Sequence, residues 1–461
     1  MKKNSILIKN ALAIATMDGE RREIKGGDIY IEGREIRQVG KNLDVKADRV
    51  INAEGCAVIP GMVNTHHHLY QTLTRNLPKV QDAKLFDWLT YLYDIWKHVT
   101  PEAIYSSAQV GLGELLLTGC TASSDHLYLF PEQDSANFID TEIQAALDIG
   151  MRFTATRGSM SLGRSKGGLP PDSVVQKEDF ILKDCERLIS KYHDTGKFSM
   201  TNVAVAPCSP FSVTTELMKL TAEMARKLKV RMHTHLAETK DEEEFCKEKF
   251  GMGPVEYMGE CGWLNDGNAW FAHCVWVGER QAEMMAKGGA GVAHCPVSNL
   301  RLGSGIAPVP MYLKMGIPVS LAVDGSASND ASDMLGEVRQ CLMVHRVASG
   351  VEAMPARTAL EIATLGGAKV LGRNDIGSIE PGKAADIAIF DVSGIDFAGA
   401  QSDPVAALAF CGAGHRTKYT IVNGEVVVEN GRLTKVDEIK VARNANRIAA
   451  ELYKKAGVEL A

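Results

Sequence analysis

Four short segments carry side chains of the kinds that bind and use a metal ion. They are Pro60-Gly61-Met62-Val63-Asn64-Thr65-His66-His67-His68, His233-Thr234-His235-Leu236-Ala237-Glu238, Ala272-His273-Cys274 and Val323-Asp324-Gly325. In an extended strand, residues i and i+2 share a face, so His66 and His68 can serve one ion while His67 points away. The same period puts His233 and His235 on one face and does not choose between them. A single His-x-His pair arises by chance, whereas an ordered series of such donors at strand ends is far more specific. Imidazoles and a carboxylate that leave one position for water or substrate form the pattern of a catalytic ion.

These segments, in this order, resemble the amidohydrolase superfamily in its cytosine-deaminase-like and chlorohydrolase-like branch. The resemblance runs from the Ile59-Pro60-Gly61 approach to Gly382-Lys383-Ala384-Ala385-Asp386-Ile387. Within the branch, three segments resemble the 8-oxoguanine deaminases, with guanine deaminases and triazine hydrolases as relatives. They are His68-Leu69-Tyr70-Gln71-Thr72-Leu73-Thr74-Arg75-Asn76, Thr156-Arg157-Gly158-Ser159-Met160 and Asp324-Gly325-Ser326-Ala327-Ser328-Asn329-Asp330. The resemblance implies a mononuclear, five-coordinate site of His66, His68, His235, Asp324 and a water. It aligns the family's His-x-x-Glu with His235 and Glu238, where a strand-to-loop turn can bring the carboxylate to the metal water. His233 then packs behind the ligands or, alternatively, touches the substrate directly. Binuclear relatives carry a carbamylated lysine where this chain reads Ala204-Val205-Ala206-Pro207-Cys208, so one divalent ion is expected. Zinc is the default for these donors, and iron(II) is accepted by the same set.

A metal-bound water with its pKa drawn toward 7 is the nucleophile that hydrolysis needs. Asp324 can take its proton and pass it to a leaving amine, and Glu238 can protonate the ring nitrogen beside the attacked carbon. His273 can orient the hydroxide. The plainer reading of Glu238 is a solvated charge in the acid-rich run from 238 to 244. For substrate binding, the Gln71 amide can read a heterocycle edge or stabilise its loop, and Trp88 can wall a pocket or join the core. His126 ends the second expected strand. Arg157 ends the third and can either hold a purine carbonyl through its fork of donors or form an ion pair. Cys208 reads as a packing residue, and His294 and Asn299 as braces of the rim. The expected reaction is deamination of 8-oxoguanine: the metal hydroxide attacks C2, ammonia leaves and urate forms. Guanine, isocytosine and amino-triazines are alternatives within the same chemistry. A triazine chlorohydrolase is disfavoured, because retained Asp324 and His273 suit a leaving group that needs a proton. A non-catalytic hydantoinase-like protein would have lost ligands that this chain keeps.

These residues must be positioned by a large scaffold, and 461 residues supply one. From residue 60 to 375, short apolar runs alternate with helical stretches, the pattern of an α/β protein built of βα units. Examples are the runs 202–206, 230–235, 269–273, 291–294 and 319–324, with helices over 214–227 and 279–287. Each candidate lies at the end of its strand, where a (β/α)8 TIM barrel builds its site. Segments 1–59 and 376–461 alternate like antiparallel sheet, and Asn423-Gly424 marks a hairpin. Neither end closes a core alone, so one small β-sandwich assembled from both, with a terminal helix, is expected around the inserted barrel. The net charge of −6 gives no basic field for nucleic acid. The ten cysteines form no disulfide framework and read as reduced thiols of a cytoplasmic protein. No apolar run is long enough to span a membrane. The expected partner is a small heterocyclic substrate, and a homo-oligomer is the usual state of such barrels.

Overall fold

The computed structural model describes residues 4–131, 135–412, 414 and 416–458. Eight parallel strands follow one another in chain order: Met62–Asn64, Cys120–Ser124, Arg152–Ser159, Thr201–Pro207, Met232–Leu236, Ala269–His273, Gly291–His294 and Val319–Leu321. They are buried nearly throughout and rich in Val, Ala and aromatic residues, as strands covered on both faces must be. Between them run helices with one apolar face. Thr215–Leu228 buries Leu217, Met218, Thr221, Ala222 and Ala225, and the Thr214 hydroxyl caps it by accepting from the Leu217 amide at 3.2 Å. The Glu279–Lys287 helix and the Ala269–His273 and Gly291–His294 strands have the bounds expected of them. The barrel closes at its rim, where Asp324–Gly325 pairs with His67–His68. That last pairing joins the first and final βα units through the candidate ligands themselves.

The two chain ends form a nine-stranded, largely antiparallel sheet. Cys56–Pro60 from the first end lies beside Ile387–Asp391 from the other. Its own core is dominated by isoleucine, including Ile8, Ile14, Ile29, Ile31, Ile387 and Ile389. Asn423 and Gly424 both have positive φ, 52° and 80°, the geometry of the tight turn anticipated there. The C-terminal helix Glu438–Lys455 lies against the barrel: Tyr453 donates to the Leu73 carbonyl at 2.7 Å and Asn444 to Ser106 at 3.4 Å. All ten cysteines are free thiols. Among the described residues no helix is long and apolar enough to cross a membrane.

One buried ion pair fastens the sheet to the barrel. Arg152 donates from Nε and Nη2 to the two oxygens of Asp386, each at 2.9 Å, and from Nη1 to the Phe198 and Ser199 carbonyls. Asp386 also accepts from the Asn423 amide at 2.7 Å. Removing one partner strands the other charge, so Arg152→Met should cost about 3–5 kcal/mol of stability. An equilibrium unfolding series that finds less than about 1 kcal/mol would contradict the clamp.

Candidate active site

Each chemical side chain is delivered by the C-terminal end of a barrel strand. The backbone kinks there: Ala237, His273, Cys274 and Asp324 have φ of 51°, 71°, 49° and 62°. Such left-handed residues cost on the order of 1 kcal/mol or more each, and they gather where a strand must stop and aim its side chain inward. Asp324 is held in that pose by its amide, which donates to the His66 carbonyl at 3.1 Å.

The hydrogen bonds behind the histidines fix their tautomers. His68 Nδ1 lies 2.8 Å from the His126 carbonyl, and His235 Nδ1 lies 2.7 Å from the Cys208 carbonyl. His233 Nδ1 lies 2.9 Å from the Trp270 carbonyl. A carbonyl only accepts, so all three Nδ1 atoms carry the proton. His233 Nε2 is then an acceptor, and it takes the Nδ1 proton of His66 at 2.7 Å. Burial holds these imidazoles below their ordinary pKa, His233 at about 3, so they are neutral. What remains on His66, His68 and His235 is an Nε2 lone pair, and the three converge.

His68 Nε2 and His235 Nε2 face each other at 3.1 Å with no proton between them. Asp324 Oδ1 lies 3.4 Å from His66 Nε2 and 3.3 Å from His68 Nε2. His66 Nε2 is buried without a partner. Asp324 is kept as a carboxylate by the Gly325 amide on Oδ1 at 2.7 Å and by Ser298 and Ser328 on Oδ2 at 2.5 and 3.2 Å. Three lone pairs and an anionic oxygen in one buried space repel each other unless a cation lies among them. The donor set therefore fits a divalent metal ion, and the backbone groups that orient it do so from behind.

Glu238 and His273 stand beside this set. Glu238 Oε1 accepts from Ser304 at 3.2 Å, and its Oε2 lies 3.6 Å from His273 Nε2. Burial, with the Asp324 and Glu242 carboxyls nearby, pushes the Glu238 carboxyl well above its ordinary range. Glu242 is no solvated charge: its two oxygens accept the Ala237 and Glu238 amides, each at 3.0 Å, and so fix the turn that carries Glu238. Asn299 donates to His273 Nδ1 at 3.0 Å, which turns His273 Nε2–H toward Glu238. The brace expected of Asn299 is this one.

A cavity of about 410 Å³ of space between atoms opens over these groups. His68, His235, Glu238, His273 and Asp324 line its floor, with Gln71, Trp88 and Cys208 in its wall. Gln71 Oε1 and Trp88 Nε1 are both buried without a partner. Gly325 is what lets Gln71 approach, since a Cβ there would meet Gln71 Oε1 at 1.9 Å. Two anticipated substrate contacts fall elsewhere. Arg157 does not line the cavity; its side chain pairs with Asp184 at 2.6 Å and Gln176 at 2.8 Å and lies over the Phe130 ring. Successive barrel residues alternate between the interior and the helix layer, and Arg157 falls on the helix side. His126 lies beneath the ligands, its ring stacked on His235 and its Nε2 donating to the Ala206 carbonyl at 3.0 Å. The sequence reading missed the walls Leu85, Leu89, Tyr128 and Phe211, and the hydroxyls of Ser298, Ser304 and Ser328. For Glu242 a signal existed, the spacing His235-x-x-Glu238-x-x-x-Glu242.

Comparison with known proteins agrees with this geometry. The profile described as Amidohydrolase family matches residues 57–427. An 8-oxoguanine deaminase of Pseudomonas aeruginosa is 44% identical over 432 residues, covering 93% of this chain and 95% of that protein. A hydroxydechloroatrazine ethylaminohydrolase of Pseudomonas sp. (strain ADP) is 32% identical over 94% of this chain and 93% of its own. The crystal structure of an atrazine chlorohydrolase from Arthrobacter aurescens TC1, complexed with zinc, superposes with a TM-score of 0.92 at 35% identity, covering 96% of this chain and 100% of that one. The chain belongs to the amidohydrolase family, whose fold it has, and it is a hydrolase acting on carbon–nitrogen bonds.

If His233 sets the His66 tautomer, His233→Phe should weaken metal binding by about 10- to 100-fold while leaving the four donors in place. Chelator competition measures this directly. An unchanged affinity would mean that His66 needs no such orientation.

Proposed function

We propose that this amidohydrolase deaminates a purine-type base, with 8-oxoguanine preferred, giving urate and ammonia and using one divalent ion, zinc by its donor set. The observation that carries the reading is the meeting in one cavity of Asp324, Glu238 and His273 with two unsatisfied recognition atoms, Gln71 Oε1 and Trp88 Nε1. The ion that His66, His68, His235 and Asp324 would hold supplies a Lewis acid that makes water nucleophilic near neutral pH. Asp324 would accept a proton from the attacking water and return it to the departing exocyclic amine. Glu238, whose carboxyl is pushed toward its acid form by burial, gives its proton to the ring nitrogen beside C2. His273 Nε2–H directs the attacking oxygen, and Leu85, Leu89, Tyr128 and Phe211 exclude bulk water. Proton delivery on this scale suits ammonia as leaving group, whereas chloride needs none.

With Arg157 turned to the helix layer, Trp88 Nε1–H takes over the role of donor to a base carbonyl, and Gln71 accepts a ring N–H. The 44% relative is itself an 8-oxoguanine deaminase, which supports the choice of base. A base lacking the C8 carbonyl leaves a buried donor unpaired, at about 1–3 kcal/mol, or roughly ten- to a hundredfold in kcat/KM.

Ammonia release should therefore be faster from 8-oxoguanine than from guanine, and Trp88→Phe should erode that preference while Arg157→Met leaves it intact. Equal kcat/KM on the two bases, or chloride release from a chlorotriazine outrunning ammonia release from any purine, would move the substrate to a neighbouring branch. Glu238→Gln should lose several orders of magnitude in kcat with its metal content unchanged. Loss of metal in that variant would make Glu238 a ligand instead.

A further inference from the structure

At the opposite end of the barrel, by the N-terminal ends of its strands, lies a second cavity of about 1150 Å³ of space between atoms, part of it open to solvent. Arg231, one residue before the Met232–Leu236 strand, forms part of its wall. The guanidinium packs against Gly372 and over the Trp270 ring, its Cζ 5.8 Å from the ring centroid. Its Nη1 reaches the Gly267 carbonyl only at 3.4 Å, and its Nε is buried with no partner. Among the described residues no carboxylate pairs with it. Burial, with no acid to offset it, pushes the guanidinium down to about 10. Arg231 is only partly buried, but its Nε is buried, and buried donors are normally satisfied, so this one calls for a partner.

Cations outnumber acids in the rest of the wall. Lys229 and Lys197 line it, and of the two only Lys197 has an acid near, Glu35 at 3.6 Å. The two acids in the wall are occupied. Asp375 holds Arg373 with both oxygens at 2.8 Å and caps the Phe198 amide, while Asp194 accepts from the Gly196 amide at 2.8 Å. Arg231 and Lys229 are left as cations without counterions, and together they match a dianion better than a single carboxylate.

We propose that this cavity is a binding site for phosphate, free or carried on a small metabolite, with Arg231 as its main donor and Lys229 as its second charge. The site lies away from the catalytic rim. A ligand there stabilises the folded barrel by mass action without entering the reaction.

The test is calorimetric titration of the metal-loaded protein at fixed ionic strength with inorganic phosphate, a nucleoside monophosphate and the matching nucleoside, alongside thermal unfolding. One saturable phosphate site per chain is expected, weakened at least about tenfold in Arg231→Gln and severalfold in Lys229→Gln. Tighter binding of the monophosphate, lost in the same variants, identifies a phosphoester ligand, and equal or weaker binding identifies free phosphate. Absence of saturable binding of either anion to the wild type, or equal binding in both variants, overturns the proposal. Lys229 is exposed, so Lys229→Gln carries the test alone if Arg231→Gln does not fold.

Discussion

The architecture of the rim depends on one constraint: three buried imidazoles must present bare Nε2 lone pairs to the same point. Such an arrangement does not persist by packing alone, because the rings would rotate or take up protons to relieve it. Here every Nδ1 proton is already committed, to the carbonyls of His126 and Cys208 or, through His233, to that of Trp270. These carbonyls belong to other strands and strand ends, so the parallel register of the barrel is what sets the tautomers. The site and the fold are therefore one hydrogen-bonded object.

The surroundings of Asp324 and Glu238 favour different protonation states. Asp324 is surrounded by donors from Gly325, Ser298 and Ser328, which favour its carboxylate. Glu238 receives one hydroxyl contact at 3.2 Å and has His273 Nε2 at 3.6 Å, while burial beside other carboxyls favours its acid form. Pairs of carboxyls driven apart in this way are the usual means of running acid and base chemistry at one pH. Left-handed backbone at Ala237, His273 and Asp324 is the local cost of holding both in place.

Much of this could be read from the residues alone, and the exceptions share a cause. The side chains of His66, His68, His235, Glu238, His273 and Asp324 sit at or just beyond strand ends, where residue type and position carry the same message. The hairpin at Asn423-Gly424 was equally plain, since few residue pairs accept its backbone angles. Arg157 went astray because period-2 alternation says which residues share a face without saying which face looks inward. His126 did so because its strand ends at Ser124, which tucks the ring under His235 instead of into the cavity. Tyr128 and Phe211 come from loops with no periodicity, and the serines that hold Asp324 are too common a residue type to stand out. Glu242 was hidden in an acid-rich run in which Asp241 and Glu244 face water.

Four converging donors at the rim fit a divalent metal ion, and the number of ions they take separates a mononuclear from a binuclear centre. Metal analysis combined with X-ray absorption on the purified protein tests the mononuclear reading most directly. One transition-metal ion per chain is expected, with a nitrogen- and oxygen-rich shell dominated by imidazole and no sulfur from nearby Cys208. A stoichiometry near two with activity following the second ion, a sulfur ligand, or full turnover by metal-free protein would contradict it.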